Sequence, residues 1–293
     1  MTFREIISAA VEKERPQLNP SSVKTYTSIL FNLSKKLEPD NEDIKLFDDD
    51  QKILEHLKEK PPTTRKTVLS ALYILTNNKA YNEQMLKDCK HTNDLYKTQQ
   101  KSQKQEDGWV SGDEIKRIYE DLQQKVKDMF SHKLISNYQT IIDYILITAL
   151  GGQSGIAPRR SKDYTEMKIR GYNPKTDNYY KAGKFYFNTY KTDKVYGEQV
   201  INVKEKNPEF NSILTKWVKC NPTDYLVFSS TQTKLSSPQI TKLLNRIFGK
   251  RTSVDLLRHI YLTDKYGKIQ SEMQKDAAEM SHNLSTQAEY MKK

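Results

Sequence analysis

The chain has 293 residues, 36% of them hydrophobic and 29% charged, with a formal net charge of +11. That length accommodates two cored domains, no apolar run approaches the ~20 residues of a membrane span, and residues 1–16 carry early acids where a secretion signal has its apolar core, so an intracellular location, nuclear or cytoplasmic, is expected. The positive balance favours an anionic partner such as nucleic acid through phosphate neutralisation and counterion release, although a lysine-rich surface serving solubility has the same balance.

Residues 2–18 place Phe3, Ile6, Ile7, Ala10 and Val11 on one helical face, and Pro16 and Pro20 break it. Ser21 or Ser22 then caps a helix through Val23, Tyr26, Ile29, Leu30 and Leu33. An acidic loop over 39–50 leads to a third helix with Ile53, Leu54 and Leu57. Pro61-Pro62 restarts a helix over 65–75, and a last amphipathic segment covers 80–96. The first hundred residues thus read as an all-helical domain. Residues 97–107 lack apolar side chains and cannot bury surface; the boundaries drawn from this are 1–100 for the first domain, 101–108 for a linker and 109–293 for a second domain.

In the second domain Ser111-Gly112-Asp113-Glu114 is a capping box opening a helix to about 130. A more apolar helix covers 134–150 and stops at Gly151-Gly152. A strand through Met167 and Ile169 follows, then aromatic-rich strand residues 184–190, a turn at 191–194 and a returning strand over 195–203. Helices are expected at 207–220, 238–248, 253–266 and 269–280, with a short strand at 225–229. The fold class is mostly α with a small β-sheet.

Cys89 and Cys220 are the two cysteines; His91 beside Cys89 gives a pair of ligands, which is not a site, so no metal is expected. Four other pieces carry chemistry. Arg160 has Asp163 three positions on, a carboxylate suited to holding a guanidinium that faces a phosphate; alone this is an ordinary surface pair. Arg159 competes for the same role. Lys191 sits at a hairpin tip, where lysines are common simply because tips are solvated. Arg258 and His259 interrupt an apolar helix, so Arg258 needs an anion or a carboxylate, for which Asp255 is the plain candidate; His259 reads most simply as a packing residue. Finally His282 ends a helix, and Tyr290 follows in the tail. A phenol titrates near ~10, so Tyr290 attacks only where fixed cations stabilise the developing charge.

In this order and context the four pieces resemble the tyrosine recombinase (phage integrase) family. Arg160-Ser161-Lys162-Asp163 resembles its first motif, Lys191 its hairpin lysine, Asp255-Leu256-Leu257-Arg258-His259 its His-x-x-Arg-His box, and Met280-Ser281-His282 with Tyr290 its ending. The form Pro158-Arg159-Arg160 with Asp163-Tyr164 is similar to the viral branch. Asp255 departs from the family's usual His or Lys.

The resemblance implies a helical core-binding domain followed by an α+β catalytic domain. It implies that Tyr290 cleaves double-stranded DNA to a 3′-phosphotyrosyl link, with Arg160 and Arg258 gripping the nonbridging oxygens, Lys191 protonating the leaving 5′-oxygen and His282 donating to the phosphate. Asp163, Asp255, His259 and Arg159 would support them. No metal, ATP or other cofactor is implied, and a homotetramer on DNA is. Three residues follow Tyr290, so subunit coupling would use the Tyr290 segment or another surface. Lys24, Arg65 and Lys66 are expected DNA contacts of the first domain. Alternatives are a monomeric type IB topoisomerase-like enzyme and, because of Asp255, a DNA-binding relative that has lost catalysis.

Overall fold

Helix periodicity in the first hundred residues comes together around one core in the computed structural model, which describes residues 1–132 and 137–292. The chain divides into two compact units, Met1–Gln100 and Lys101–Lys293.

The first unit holds α1 (Phe3–Glu14), α2 (Pro20–Leu37), a 3-10 turn (Ile44–Asp48), α3 (Asp50–Leu57), α4 (Pro62–Thr76) and α5 (Lys79–Lys97). Pro20 opens α2 rather than breaking the chain before it: proline suits the first helical turn, where its missing amide costs nothing, and the Asn19 side chain caps by accepting the Ser21 amide at 2.9 Å. Ile7, Leu30, Ile53, Leu69 and Leu72 are fully buried together, while Ile6 stays exposed. The acidic loop is less solvated than its charge suggests. Leu46 and Phe47 turn inward, and the Tyr81 hydroxyl donates to the Phe47 carbonyl at 2.8 Å. Arg65, expected at DNA, is committed inside the unit: its Nε and Nη2 donate to Asp88 at 2.7 and 2.5 Å, and its Nη1 donates to the Lys58 carbonyl at 2.9 Å. Asp88 is buried, so pulling Arg65 away would strand a charge at a cost of about 3–5 kcal/mol.

In the second unit the elements are α6 (Gln103–Gly108), α7 (Gly112–Ser131), α8 (Tyr138–Leu150), α9 (Ser161–Thr165), β1 (Tyr179–Lys181), β2 (Lys184–Phe187), α10 (Asp193–Tyr196), β3 (Gln199–Asn202), α11 (Val203–Lys206), α12 (Pro208–Cys220), α13 (Ser237–Phe248), α14 (Val254–Glu279) and α15 (Leu284–Tyr290). The segment expected as a solvated linker is exposed along most of its length but forms α6, capped by Ser102, with its end held by the Thr252 hydroxyl, which donates to the Gly108 carbonyl at 2.8 Å. The first residues of the helix expected over 134–150 lie outside the described ones; from Tyr138 it is α8, whose residues 141–142 and 144–150 are all buried.

The sheet is antiparallel in the order β1-β2-β3. Period-two alternation sends Phe185 and Phe187 inward, where the Tyr164 ring meets both edge-on at 5.9 and 5.6 Å, and turns Tyr186 outward. Expected strands at 167–169 and 225–229 shrink to single bridges at Lys168, Tyr225 and Phe228, because their backbone groups pair with scattered partners, Lys168 with Asn178 and Tyr180 and Ile169 with Asp224, rather than along one neighbouring strand. The strand expected from 195 is one helical turn, α10, before β3 begins. The two helices expected around Gly267 are one, α14: a single helical glycine costs only about 1 kcal/mol, too little to break it. Among the described residues no helix is long and apolar enough to cross a membrane.

Candidate functional site

α9 follows a proline and two arginines, and Arg160 is its N-cap, with extended backbone at φ −71° and ψ 152°. Arg160 therefore lies off the helix, and the helical spacing that would bring Asp163 beneath it does not apply. Asp163 pairs with Arg159 instead: Nε donates to Oδ2 at 2.8 Å, with the carboxylate 2% exposed and the guanidinium 20%. The expectation that Asp163 holds Arg160 is corrected on this point. The Arg159 guanidinium also lies 4.1 Å from the Phe187 ring centroid and 4.9 Å from that of Tyr190, so aromatics of β2 and the loop after it complete its seat.

The Arg160 guanidinium has no hydrogen-bond or ion-pair partner among the described residues. It lines a cleft of about 240 Å3 with Arg159, Asp163, Tyr190 and Arg258. This is below the ~300–1,000 Å3 usual for small-molecule sites and suits one group of a larger polymer. Three guanidinium groups face one carboxylate there, a net positive field for an anion. Burial pushes the Asp163 carboxyl up from its ordinary value, while Arg159, Arg160 and Arg258 pull it down. Its Oδ1 is buried without a partner among the described residues.

Arg258 reaches the cleft from the first turns of α14, a helix capped by the Ser253 hydroxyl, which accepts the Leu256 amide. The cap and the buried Leu256, Leu257 and Ile260 set the helix so that Arg258 is one-third exposed at the rim. Its contact with Asp255 is long, 3.5 Å, to a carboxylate 76% exposed. The His259 Nε2 is 3.6 Å from the same carboxylate. Asp255 thus sits between two potential cations on a solvated face, where screening leaves such a pair worth little.

Asn178, not singled out from the sequence, ties α9 to the loop between β2 and β3. Its Nδ2 donates to the Asp163 carbonyl at 3.0 Å and the Thr189 carbonyl at 2.8 Å. Its Oδ1 accepts the amides of Asn188 and Thr189, both at 2.9 Å. Beyond this clasp, the Tyr190 hydroxyl closes the loop onto the Gly197 carbonyl at 2.6 Å. A lone buried asparagine leaves no trace in hydrophobic patterning, so only coordinates reveal it. Thr192, Tyr196 and Gln199 also line the cleft without having been expected there; their nearness in sequence to Lys191 was the one available signal. Lys191 itself is exposed between two lining residues, without a partner among the described residues.

α14 ends where Ser281 takes a left-handed φ of 57° and the amides of Ser281 and His282 fold back onto the carbonyls of Ala278 and Ala277 at 3.1 and 3.0 Å, a helix stop usually made with glycine. That places His282 outside the helix, its Nε2 buried without a partner among the described residues. The Tyr290 ring stacks on it at 5.7 Å and 21°, and Tyr290 is 67% exposed. The cleft therefore gathers Arg159, Arg160, Asp163 and Arg258; Lys191, Asp255, His259, His282 and Tyr290 are not among its lining residues.

No protein-family model and no curated protein matches the chain. Solved structures with a similar chain include a lambda integrase dimer bound to a COC′ core site, at 15% identity over 91% of this chain and 70% of that one, TM-score 0.49. A XerH site-specific recombinase bound to its difH substrate is 14% identical over 99% and 92% of the two chains, TM-score 0.41. XerA recombinase is 15% identical over 89% and 83%, TM-score 0.34. These likenesses are too distant to carry a function across.

Proposed function

We propose that the chain is a site-specific DNA recombinase that cleaves and rejoins strands through Tyr290. The observation that carries this is the cleft where Arg160, unpaired, and Arg258, weakly paired, face outward beside an Arg159 already neutralised by Asp163. A phosphodiester needs two cations of this kind and little enclosure. In phosphoryl transfer, positioning and charge stabilisation supply most of the rate.

In the proposed step the Tyr290 oxygen attacks phosphorus and releases its phenolic proton to solvent, the 3′-phosphotyrosyl bond forms and the bond to the 5′-oxygen breaks. Lys191 gives that oxygen its proton. Arg160 and Arg258 hold the nonbridging oxygens, each worth about 2.7–4 kcal/mol by analogy with an oxyanion donor. His282, whose buried Nε2 has no partner among the described residues, donates to the phosphate once the Tyr290 ring stacked on it moves to the cleft. Attack by a second strand's 5′-hydroxyl reverses the chemistry, so the phosphotyrosyl bond stores the energy for rejoining. α15 buries none of its residues, which suits a segment that delivers Tyr290 to the cleft of its own protomer or of a neighbour in a DNA-bound tetramer. The form Pro158-Arg159-Arg160 with Asp163-Tyr164 supports a viral or mobile-element setting for this activity.

A nicked suicide substrate tests the reading. A covalent adduct that survives SDS, forms in EDTA and vanishes in Tyr290→Phe is expected; adduct persisting in Tyr290→Phe moves the nucleophile elsewhere. A second reading, a DNA-binding relative without cleavage, is favoured by the Asp255 carboxylate 3.5 Å from Arg258. It predicts no adduct in the wild type and adduct in Asp255→His.

A further inference from the structure

The turn joining β1 to β2 has both central residues at positive φ, Ala182 at 49° and Gly183 at 82°, the two-residue hairpin turn whose twist matches the strands. A Cβ at Gly183 would come within 2.9 Å of Lys204 Cβ and 3.0 Å of Asn211 Oδ1. Glycine alone lets this turn close onto the segment leading into α12. The closure forms one wall of a second cavity, about 560 Å3, which shares no lining residue with the cleft.

Its lining separates by chemistry. Ile169, Val218 and the Tyr172 ring give apolar surface, while Lys181, Lys204 and Lys219 bring three ammonium groups. No carboxylate lies within ion-pairing distance of those three lysines among the described residues. The Asn211 Oδ1 takes the Tyr180 hydroxyl at 2.8 Å, which orients the amide and leaves its nitrogen donors without an acceptor among the described residues. Tyr172 is the end of a column: its ring stacks on Tyr179 at 4.3 Å and 2°, and Tyr179 stacks on Tyr186 at 4.5 Å and 8°. A planar base entering the cavity would extend that column, since every base offers a π-face to an aromatic platform. Lysines without a carboxylate partner beside it, among them Lys181 with its ammonium 6.0 Å from the Tyr172 ring centroid, suit a phosphate.

We propose that this cavity is a second binding site, for a nucleoside phosphate whose base stacks on Tyr172 and whose phosphate lies among Lys181, Lys204 and Lys219, with the Asn211 amide donating to the base or sugar. The inference is independent of strand cleavage. The same chemistry is offered by a free nucleotide and by one unit of a single strand.

Calorimetric titration of the full chain with ATP, with inorganic triphosphate and with an unphosphorylated oligo(dA) tests it, thermal unfolding serving to confirm that each variant folds. Saturable ATP binding at one site per chain is expected. Tyr172→Ala should weaken ATP by about tenfold and leave triphosphate unchanged, and Tyr172→Phe, which keeps the ring, should restore ATP. The double variant Lys204→Glu, Lys219→Glu should weaken both ligands, and Arg160→Ala neither. Oligo(dA) that displaces ATP identifies the strand as the source; oligo(dA) that does not identifies the free nucleotide. Equal affinity for ATP and triphosphate, ATP binding lost only in Arg160→Ala, or no saturable binding of either ATP or oligo(dA) would overturn the proposal.

Discussion

Arg159 and Arg160 are neighbours with the same side chain, and the structure assigns them opposite consequences on removal. Arg159→Ala leaves the Asp163 carboxylate, 2% exposed, without its 2.8 Å donor, and its other oxygen already lacks a partner. Breaking a buried pair from one side costs about 3–5 kcal/mol, here reduced toward the lower figure by the attraction of Arg160 and Arg258. Loss of the cation over Phe187 and Tyr190 adds about 0.5–1 kcal/mol. Arg160→Ala removes no bond the protein makes with itself, so its stability should stay within about 0.5 kcal/mol of the parent, while adduct formation falls by about two to three orders of magnitude. Urea unfolding and the suicide-substrate assay, run on both variants, separate the effects. If Arg160→Ala unfolded as readily as Arg159→Ala, or if Arg159→Ala kept full stability, the assignment of Asp163 to Arg159 would be wrong.

Further outcomes are expected elsewhere in the second unit. Asn178→Ala deletes four hydrogen bonds at a buried position and should cost about 3 kcal/mol, read as a lowered urea midpoint; a loss under about 1 kcal/mol would mean water replaces the clasp. Ala182→Gly relieves a left-handed alanine at φ 49° worth about 1–2 kcal/mol, against up to about 1 kcal/mol of added unfolded-state entropy; a small net gain in unfolding midpoint is expected, and a clear loss refutes the strain. Asp177 is held below the ordinary carboxyl value of 3.8 by the Lys168 ammonium and then by the Asn173 amide. Its folded value lies below its unfolded one, so its stabilisation is present above about pH 4 and lost as pH falls through the lowered value. Asp177→Asn should therefore cost at most about 1 kcal/mol at neutral pH and nothing in strong acid; a gap that persists at low pH points to packing instead.

Much of the architecture was legible because it depends on local pattern. Apolar spacing at three and four residues marks α2, α4 and α8, and alternation over 184–187 marks β2, since a side chain's face follows from backbone period alone. Punctuation was misjudged where proline and glycine have two uses: Pro20 begins a helix, and Gly267 lies inside one. At the cleft, the resemblance to the tyrosine recombinase motifs brought Arg160, Asp163 and Arg258 into one hypothesis. It had no means of deciding which arginine Asp163 serves, because spacings of three and four are equally allowed on a helix. That choice came from the extended backbone at Arg160 and from two aromatic rings supplied by a distant strand and its loop. Neither the Asn178 clasp nor the tyrosine column at the second cavity has a one-dimensional signature, since each exists only where separately folded segments bring polar groups or ring faces together.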